Sequence, residues 1–184
     1  MSGKVTLYHG SYCIVKSPTL SFCSKAKDFG RGFYLTTDAK QARNFIQTAV
    51  KKAMYRGLVS ADCSLGYVNI FECDLNDTLS VYSFGKADES WLHCVAAHRS
   101  ESVFPGETAK WLAYDLIRGK IANDKTNTVI SAYIDGLYGP AESKQAAEIA
   151  IGLLEPENLV DQWCFRTEKA LATLKFVGAD VHEP

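Results

Sequence analysis

The chain has 184 residues, 47% hydrophobic and 22% charged, a size and balance that fit one folded domain and exclude a disordered, collagen-like or low-complexity protein. Lys and Arg number 20 against 21 Asp and Glu, a formal charge of −1; the signs read as mixed along the chain rather than gathered into blocks, which does not advertise tight non-specific binding to nucleic acid. Cysteines at 13, 23, 63, 73, 94 and 164 form no CxxC pair, no secretory leader precedes them and no window approaches the roughly 20 apolar residues of a membrane span, so reduced thiols and a cytoplasmic location are expected, export without a cleavable signal being the other reading.

Residues 5–8 have strand character and Gly10-Ser11 ends the run, so His9 comes at a strand end. A loop punctuated by Pro18 runs to Gly30. Residues 32–37, Gly-Phe-Tyr-Leu-Thr-Thr, are rich in aromatic and β-branched side chains and predict a second strand. Asp38 with Gln41 three positions on has the form of a helix cap. Ala39, Ala42, Phe45, Ile46, Ala49, Val50 and Ala53 then recur at helical spacing, which predicts a helix laying one apolar stripe on a sheet. Arg31, Arg43, Lys51, Lys52 and Arg56 fall in the same stretch and could gather into a basic patch, although such a run is more often the solvated face of a helix.

Further on, 67–73 and 79–84 read as strands about a turn at 74–77, 88–98 as a helix, and 114–121 as a strand interrupted by Gly119. Residues 126–134 and 143–154 read as helices, the second cut off by Pro156. The chain ends in a strand at 158–165, a helix over 168–174 capped by Thr167, and an edge strand at 175–181. With no internal repeat, this order predicts a single α+β domain over residues 1–184 with mostly antiparallel sheets.

Three segments carry candidate chemistry: Tyr8-His9-Gly10-Ser11, then Phe29-Gly30-Arg31-Gly32-Phe33-Tyr34-Leu35-Thr36, then Asp161-Gln162-Trp163-Cys164-Phe165-Arg166-Thr167. A glycine after a histidine at a strand end lets backbone N–H and C=O approach a flat ligand, because no Cβ stands in the way, and the glycines at 30 and 32 free the backbone likewise. Tyr34 offers a flat ring for stacking. Alternation puts Phe33 and Leu35 on one face and Tyr34 and Thr36 on the other, so Tyr34 is assigned to a site and Phe33 to the core. No P-loop, GxSxG or HExxH occurs, and Gly30-Arg31-Gly32 lacks the third glycine and preceding strand of a Rossmann fingerprint. Cys94 and His98 share a helix face, but two ligands do not make a zinc site, and no metal is expected.

In order and wording these segments resemble the signature regions of the ADP-ribosyltransferase superfamily, in its diphtheria-toxin and poly(ADP-ribose) polymerase branch: His-Gly, then Gly-x-Gly-x-Tyr followed by a helix, then a late Glu on a strand. The resemblance covers residues 5–50 and 158–176, leaves 56–155 unaligned, and is most similar to an uncharacterised bacterial branch. It implies split antiparallel β-sheets with flanking helices, and a mono-ADP-ribosyltransferase that takes NAD as substrate and donor, without a metal. It implies that His9 bonds a ribose hydroxyl, that Gly10 and Ser11 hold the nicotinamide amide and that Tyr34 stacks on the ring; Arg31 could pair with the pyrophosphate, a solvated loop arginine being at least as good a reading.

Gln162 falls where the family has its catalytic Glu. A glutamine keeps the hydrogen bond to the ribose but lacks the negative charge that steadies an oxocarbenium-like transition state, and it cannot act as a base. Three explanations stand side by side. Another carboxylate has taken over, Asp124 being a better candidate than Asp161, whose side chain points to the opposite strand face; Asp124 also reads as a helix cap. Alternatively the reaction is slow mono-transfer or NAD hydrolysis, or the domain only binds NAD or ADP-ribose. The missing Glu argues against polymer formation. The acceptor stays open among protein, nucleic acid and water. An RNA 2′-phosphotransferase, a related NAD user, would be expected to be more basic. An interaction protein with no nucleotide pocket is the remaining reading.

Overall fold

The computed structural model describes residues 3–25, 27–75, 78–121, 124–155 and 159–183, with the backbone alone at Asp124 and Lys125. Strands β1 (Gly3–Ser11), β3 (Gly66–Leu75) and β7 (Leu174–His182) form an antiparallel sheet in the order β1-β3-β7. Strands β2 (Phe33–Leu35), β6 (Asp161–Phe165), β5 (Leu116–Lys120) and β4 (Val81–Ser83) form a second sheet in the order β2-β6-β5-β4, antiparallel except for the β4–β5 pair. Helices α1 (Ala39–Tyr55), α2 (Glu89–Arg99), α3 (Asp124–Ile134), α4 (Lys144–Leu154) and α5 (Glu168–Leu171) complete an α+β architecture. None of the described helices is long and apolar enough to cross a membrane.

Alternation along the strands builds four layers. Leu7 and Phe71 of the first sheet meet Phe33, Leu35, Leu116, Trp163 and Phe165 of the second in a core between the sheets. The other face of the second sheet, with Ile117 and Cys164, packs against α2, α3 and α4 through Trp91, Ile130, Tyr133 and Ala147. On the other face of the first sheet, Val68 receives Ala42, Ile46 and Val50 of α1. Burying Ile46 or Val50 contributes about 1.5 to 3 kcal/mol each.

The start of α1 follows from Asp38, whose carboxylate accepts from the Lys40 and Gln41 amides at 2.8 and 3.2 Å and so satisfies donors that a helix start leaves without intrahelical partners. The buried line is Ala42, Ile46, Val50 and Ala53. It is narrower than the periodicity predicts, and Phe45 is 38% exposed. The reason is close approach: a Cβ on Gly10 would lie 2.0 Å from the Ala42 carbonyl oxygen, and one on Gly66 2.0 Å from Ile46 Cγ2. With its backbone sunk this far onto two glycines, the helix shows the sheet only one line of side chains.

Other boundaries also shift. β1 reaches from Gly3 to Ser11 because it pairs along its whole length with β3. Asp74 and Leu75, expected in a turn, stay in β3 opposite Lys4 and Gly3, while Asn76 and Asp77 lie outside the described residues. β7, expected to begin at 175, starts at Leu174 and is the outer strand of its sheet. β6 begins at Asp161; residue 158, where it was expected to start, lies outside the described residues, as do Ala122, Asn123 and Pro156.

Candidate functional site

The two sheets meet where Tyr8 and Thr36 exchange both backbone bonds, N–H to O at 2.8 and 3.0 Å. This fixes the direction of every amide on β1. Tyr8 turns its N–H and C=O away from β3, so by antiparallel alternation Gly10 does the same. Continuing the register puts Gly10 opposite Tyr34. There, among the described residues, the strands exchange no backbone bond; instead the His9 imidazole donates through Nδ1 to the Tyr34 carbonyl at 2.8 Å. β1 and β2 thus part as a wedge beyond the Tyr8–Thr36 bridge, with the backbone groups of the buried Gly10 on one side and Tyr34 on the other.

His9 is half-buried, its ring 4.5 Å from that of Phe33. Its Nδ1–H is committed to a carbonyl, so the neutral ring keeps a lone pair on Nε2 as an acceptor. Burial lowers its pKa below 6.5, the Tyr34 carbonyl opposes this and Lys27 reinforces it. Asn69, fully buried opposite His9, donates to the His9 and Cys13 carbonyls at 3.3 and 3.2 Å and accepts from the Val15 amide at 2.7 Å, fixing the chain just beyond the wedge.

Phe33 lies in the core between the sheets and Tyr34 on the opposite face, as alternation predicts. The Tyr34 hydroxyl accepts from the Phe29 amide at 2.9 Å and donates to the Gly30 carbonyl at 2.7 Å, which immobilises the ring, and burial raises its pKa well above 10. Gly30 has φ +75, a conformation that favours glycine, and a Cβ there would also strike His98. The buried Ser11 hydroxyl lies 3.4 Å from the Cys13 amide. Arg31 is exposed and its Nε donates to the Leu20 carbonyl at 2.9 Å, which ties it to the preceding loop.

Gln162 is 5% exposed on the same face of β6 as Cys164, the residue paired with Tyr34. Its Nε2 donates to Asp28 Oδ2 at 2.9 Å and to the Lys120 carbonyl at 3.0 Å. Both partners are acceptors, which fixes the amide orientation and leaves the side-chain carbonyl as the end able to accept from a ligand. Asp28 is in turn held by Arg99, whose Nε and Nη2 reach Oδ1 at 3.0 and 2.6 Å while Nη1 reaches Asn127 at 2.6 Å. The sequence reading missed Asp28, Arg99 and Asn69, because nothing local marks their partners.

Asp161 accepts from the Thr37 amide and hydroxyl, from the Thr36 hydroxyl and from the Trp163 indole. It is a brace between β6 and the end of β2. Asp124 begins α3, and its side chain lies outside the described residues. All six cysteines are free thiols. Cys94 Sγ and His98 Nδ1 are 3.6 Å apart, but no group of three or more His, Cys, Asp or Glu among the described residues is arranged to hold a metal ion.

Burial lowers the pKa of His9, His93 and His98 alike. The unfolded chain therefore binds protons near pH 6.5 that the folded chain refuses, so stability is complete above that pH and falls as pH drops through 6.5 toward the lower folded values. Each such histidine contributes a slope of up to about 1.4 kcal/mol per pH unit. His9→Asn, which keeps a donor for the Tyr34 carbonyl but does not titrate, is expected to flatten the fall of the urea midpoint between pH 7 and 5. An unchanged slope would show that His9 takes up its proton as readily in the folded protein as in the unfolded chain.

No curated protein matches the chain. The profile of one family matches residues 5–176, a span that includes His9, Tyr34 and Gln162, and the chain belongs to that family, described as protein of unknown function (DUF3990).

Proposed function

We propose that the protein is an NAD-dependent mono-ADP-ribosyltransferase whose donor enters the wedge between β1 and β2. The observation that carries this reading is the meeting of the first two motif segments, with His9 bonded to the Tyr34 carbonyl and the Gly10 N–H and C=O turned away from β3 toward β2. A carboxamide offers a donor and an acceptor in one plane, which suits a paired C=O and N–H on one glycine. The two mostly antiparallel sheets with flanking helices are compatible with the split-sheet fold of that superfamily.

In this reading His9 Nε2 accepts from a ribose hydroxyl, Ser11 adds a second donor near the amide and the fixed Tyr34 ring stacks on nicotinamide. Arg31 would leave the Leu20 carbonyl to meet the pyrophosphate. The bond between ribose C1′ and the nicotinamide nitrogen breaks with its electron pair passing to nicotinamide. The sugar carries the positive charge until an acceptor or water bonds C1′ and loses a proton. The Gln162 carbonyl bonds a ribose hydroxyl but supplies no countercharge, so turnover is slow and ends in mono-transfer or hydrolysis. The burial of that amide against Asp28 also favours a second reading, a module that binds NAD or ADP-ribose without cleaving it.

Incubation with NAD, following free nicotinamide by chromatography beside a thermal-shift titration, separates these readings. Release that His9→Ala and Tyr34→Ala each lower at least about tenfold, with the fold intact, is the expected result for a loss near 1.4 kcal/mol of transition-state binding. Wild-type turnover in both variants would overturn the assignment. A thermal shift without release would favour the binding module, and no shift would rule out both.

A further inference from the structure

The formal charge of −1 conceals a division. Residues 1–60 carry ten Lys or Arg against two Asp, and residues 61–184 carry ten against nineteen Asp or Glu. The signs that read as mixed are therefore separated. α1 has Lys40, Arg43, Lys51 and Lys52 and no acidic residue, and Arg56 follows it directly. Among the described residues, none of Lys27, Lys40, Arg43, Lys51, Lys52 and Arg56 forms an ion pair; Lys86, Lys120 and Lys175 of the acid-rich remainder form none either, so what sets α1 apart is that it carries no acidic residue at all.

A helix face kept only for solubility mixes its signs at i, i+4 spacing. The helix dipole favours Lys52 and Arg56 at the C-terminal end, but it disfavours Lys40 and Arg43 in the first turns, so it does not account for the pattern. Thr48, Lys51, Lys52, Tyr55 and Arg56, three and four apart, line a concavity of about 410 Å³ on this face. Tyr55 is 94% exposed, and Lys52 Nζ stands 5.8 Å from the Phe45 ring centre. Cations and open aromatic rings are thus interleaved. Lys27 continues the face toward His9: burial lowers its ammonium, Lys52 and Arg56 add to the effect, and its charge in turn bears on His9.

We propose that the outer face of α1 binds single-stranded nucleic acid, with phosphates at Lys51, Lys52, Arg56 and Lys27 and a base stacked on Tyr55. Phosphate supplies the missing negative partners, and an open ring suits a base that is not already stacked in a duplex. Two rings amid five cations offer too little apolar area for insertion into a lipid surface. The inference rests on charge and exposure and holds whether or not the wedge accepts NAD.

The test is fluorescence anisotropy of a labelled single-stranded oligonucleotide of mixed sequence titrated with the full chain. Saturable binding is expected at low salt, with log K falling against log salt at a slope of about −2 to −3, as three or four single-strand phosphate contacts require. Lys51→Glu with Lys52→Glu should weaken binding at least tenfold, and Tyr55→Ala at least fivefold, both at unchanged melting temperature. Reversal of two exposed lysines elsewhere, Lys86→Glu with Lys144→Glu, should leave binding unchanged. The proposal is overturned by no binding, by α1 variants that bind like wild type, by equal weakening in the Lys86/Lys144 control, by a duplex binding as tightly as the strand, or by polyglutamate or phosphatidylserine vesicles competing as well as unlabelled strand.

Discussion

Replacing Arg99 with alanine is expected to lower the free energy of unfolding by about 3 kcal/mol. Two of its nitrogens reach the same oxygen of Asp28, at 3.0 and 2.6 Å, and the third holds Asn127, so one guanidinium joins the loop before β2 to α2 and α3. Asp28 is 9% exposed. Without the guanidinium its carboxylate loses its direct ion pair in a nearly dry place, a change that costs about 3 to 5 kcal/mol at fully buried pairs. The Arg99 and Asp28 side chains keep 18% and 12% of their accessibility, which places the effect at the lower end. Because Phe29 and Gly30, the next two residues, hold the Tyr34 hydroxyl, the loss should also loosen that ring. Urea unfolding checks it: Arg99→Ala with Asp28→Asn removes both charges and should recover at least half the loss. If Arg99→Ala unfolds at the wild-type midpoint, the pair does not hold the loop.

The local part of the fold was legible because its causes are local. Asp38 caps α1 and Thr167 caps α5 through bonds to amides two or three residues away, and both are readable from residue type and position. Alternation assigned Phe33 and Tyr34 to opposite faces. Phe45 was misread because helical period alone does not say how wide a stripe is buried; that depends on Gly10 and Gly66, which admit the helix backbone from strands far along the chain. The candidate site was half legible for the same reason. His9, Tyr34 and Gln162 stood out by motif, but Asp28 and Gln162 are 134 positions apart and His9 and Asn69 60 apart, and no spacing rule links them. The basic stretch of Arg31, Arg43, Lys51, Lys52 and Arg56 is visible in the sequence, but the net charge of −1 gives it little weight, because a sum over the chain cancels cations of the first 60 residues against acids of the remainder.

Gln162→Glu, the change that would supply the carboxylate that the proposed transferase reading lacks, is expected to destabilise the protein by about 2 to 4 kcal/mol. The amide nitrogen faces two acceptors, Asp28 Oδ2 and the Lys120 carbonyl. A carboxylate there would lose both bonds and meet a like charge near 3 Å in a site 5% exposed. The residue is thus matched to Asp28, and the carboxylate cannot be added alone. Asp28→Asn supplies a side-chain amide that can donate to the new Glu and removes the like charge, at the cost of the Arg99 ion pair, so the double variant Asp28→Asn with Gln162→Glu should be more stable than Gln162→Glu alone. A Gln162→Glu protein as stable as wild type would mean that the Asp28 contact does not decide the residue. The double variant also tests the chemistry. If the proposed transferase reading holds and Gln162 faces the scissile bond, the added carboxylate should raise nicotinamide release at least about tenfold, because a countercharge to the oxocarbenium-like sugar is then present. Restored stability with no rise in release would mean that the Gln162 position does not face the scissile bond and that the wedge holds its ligand another way.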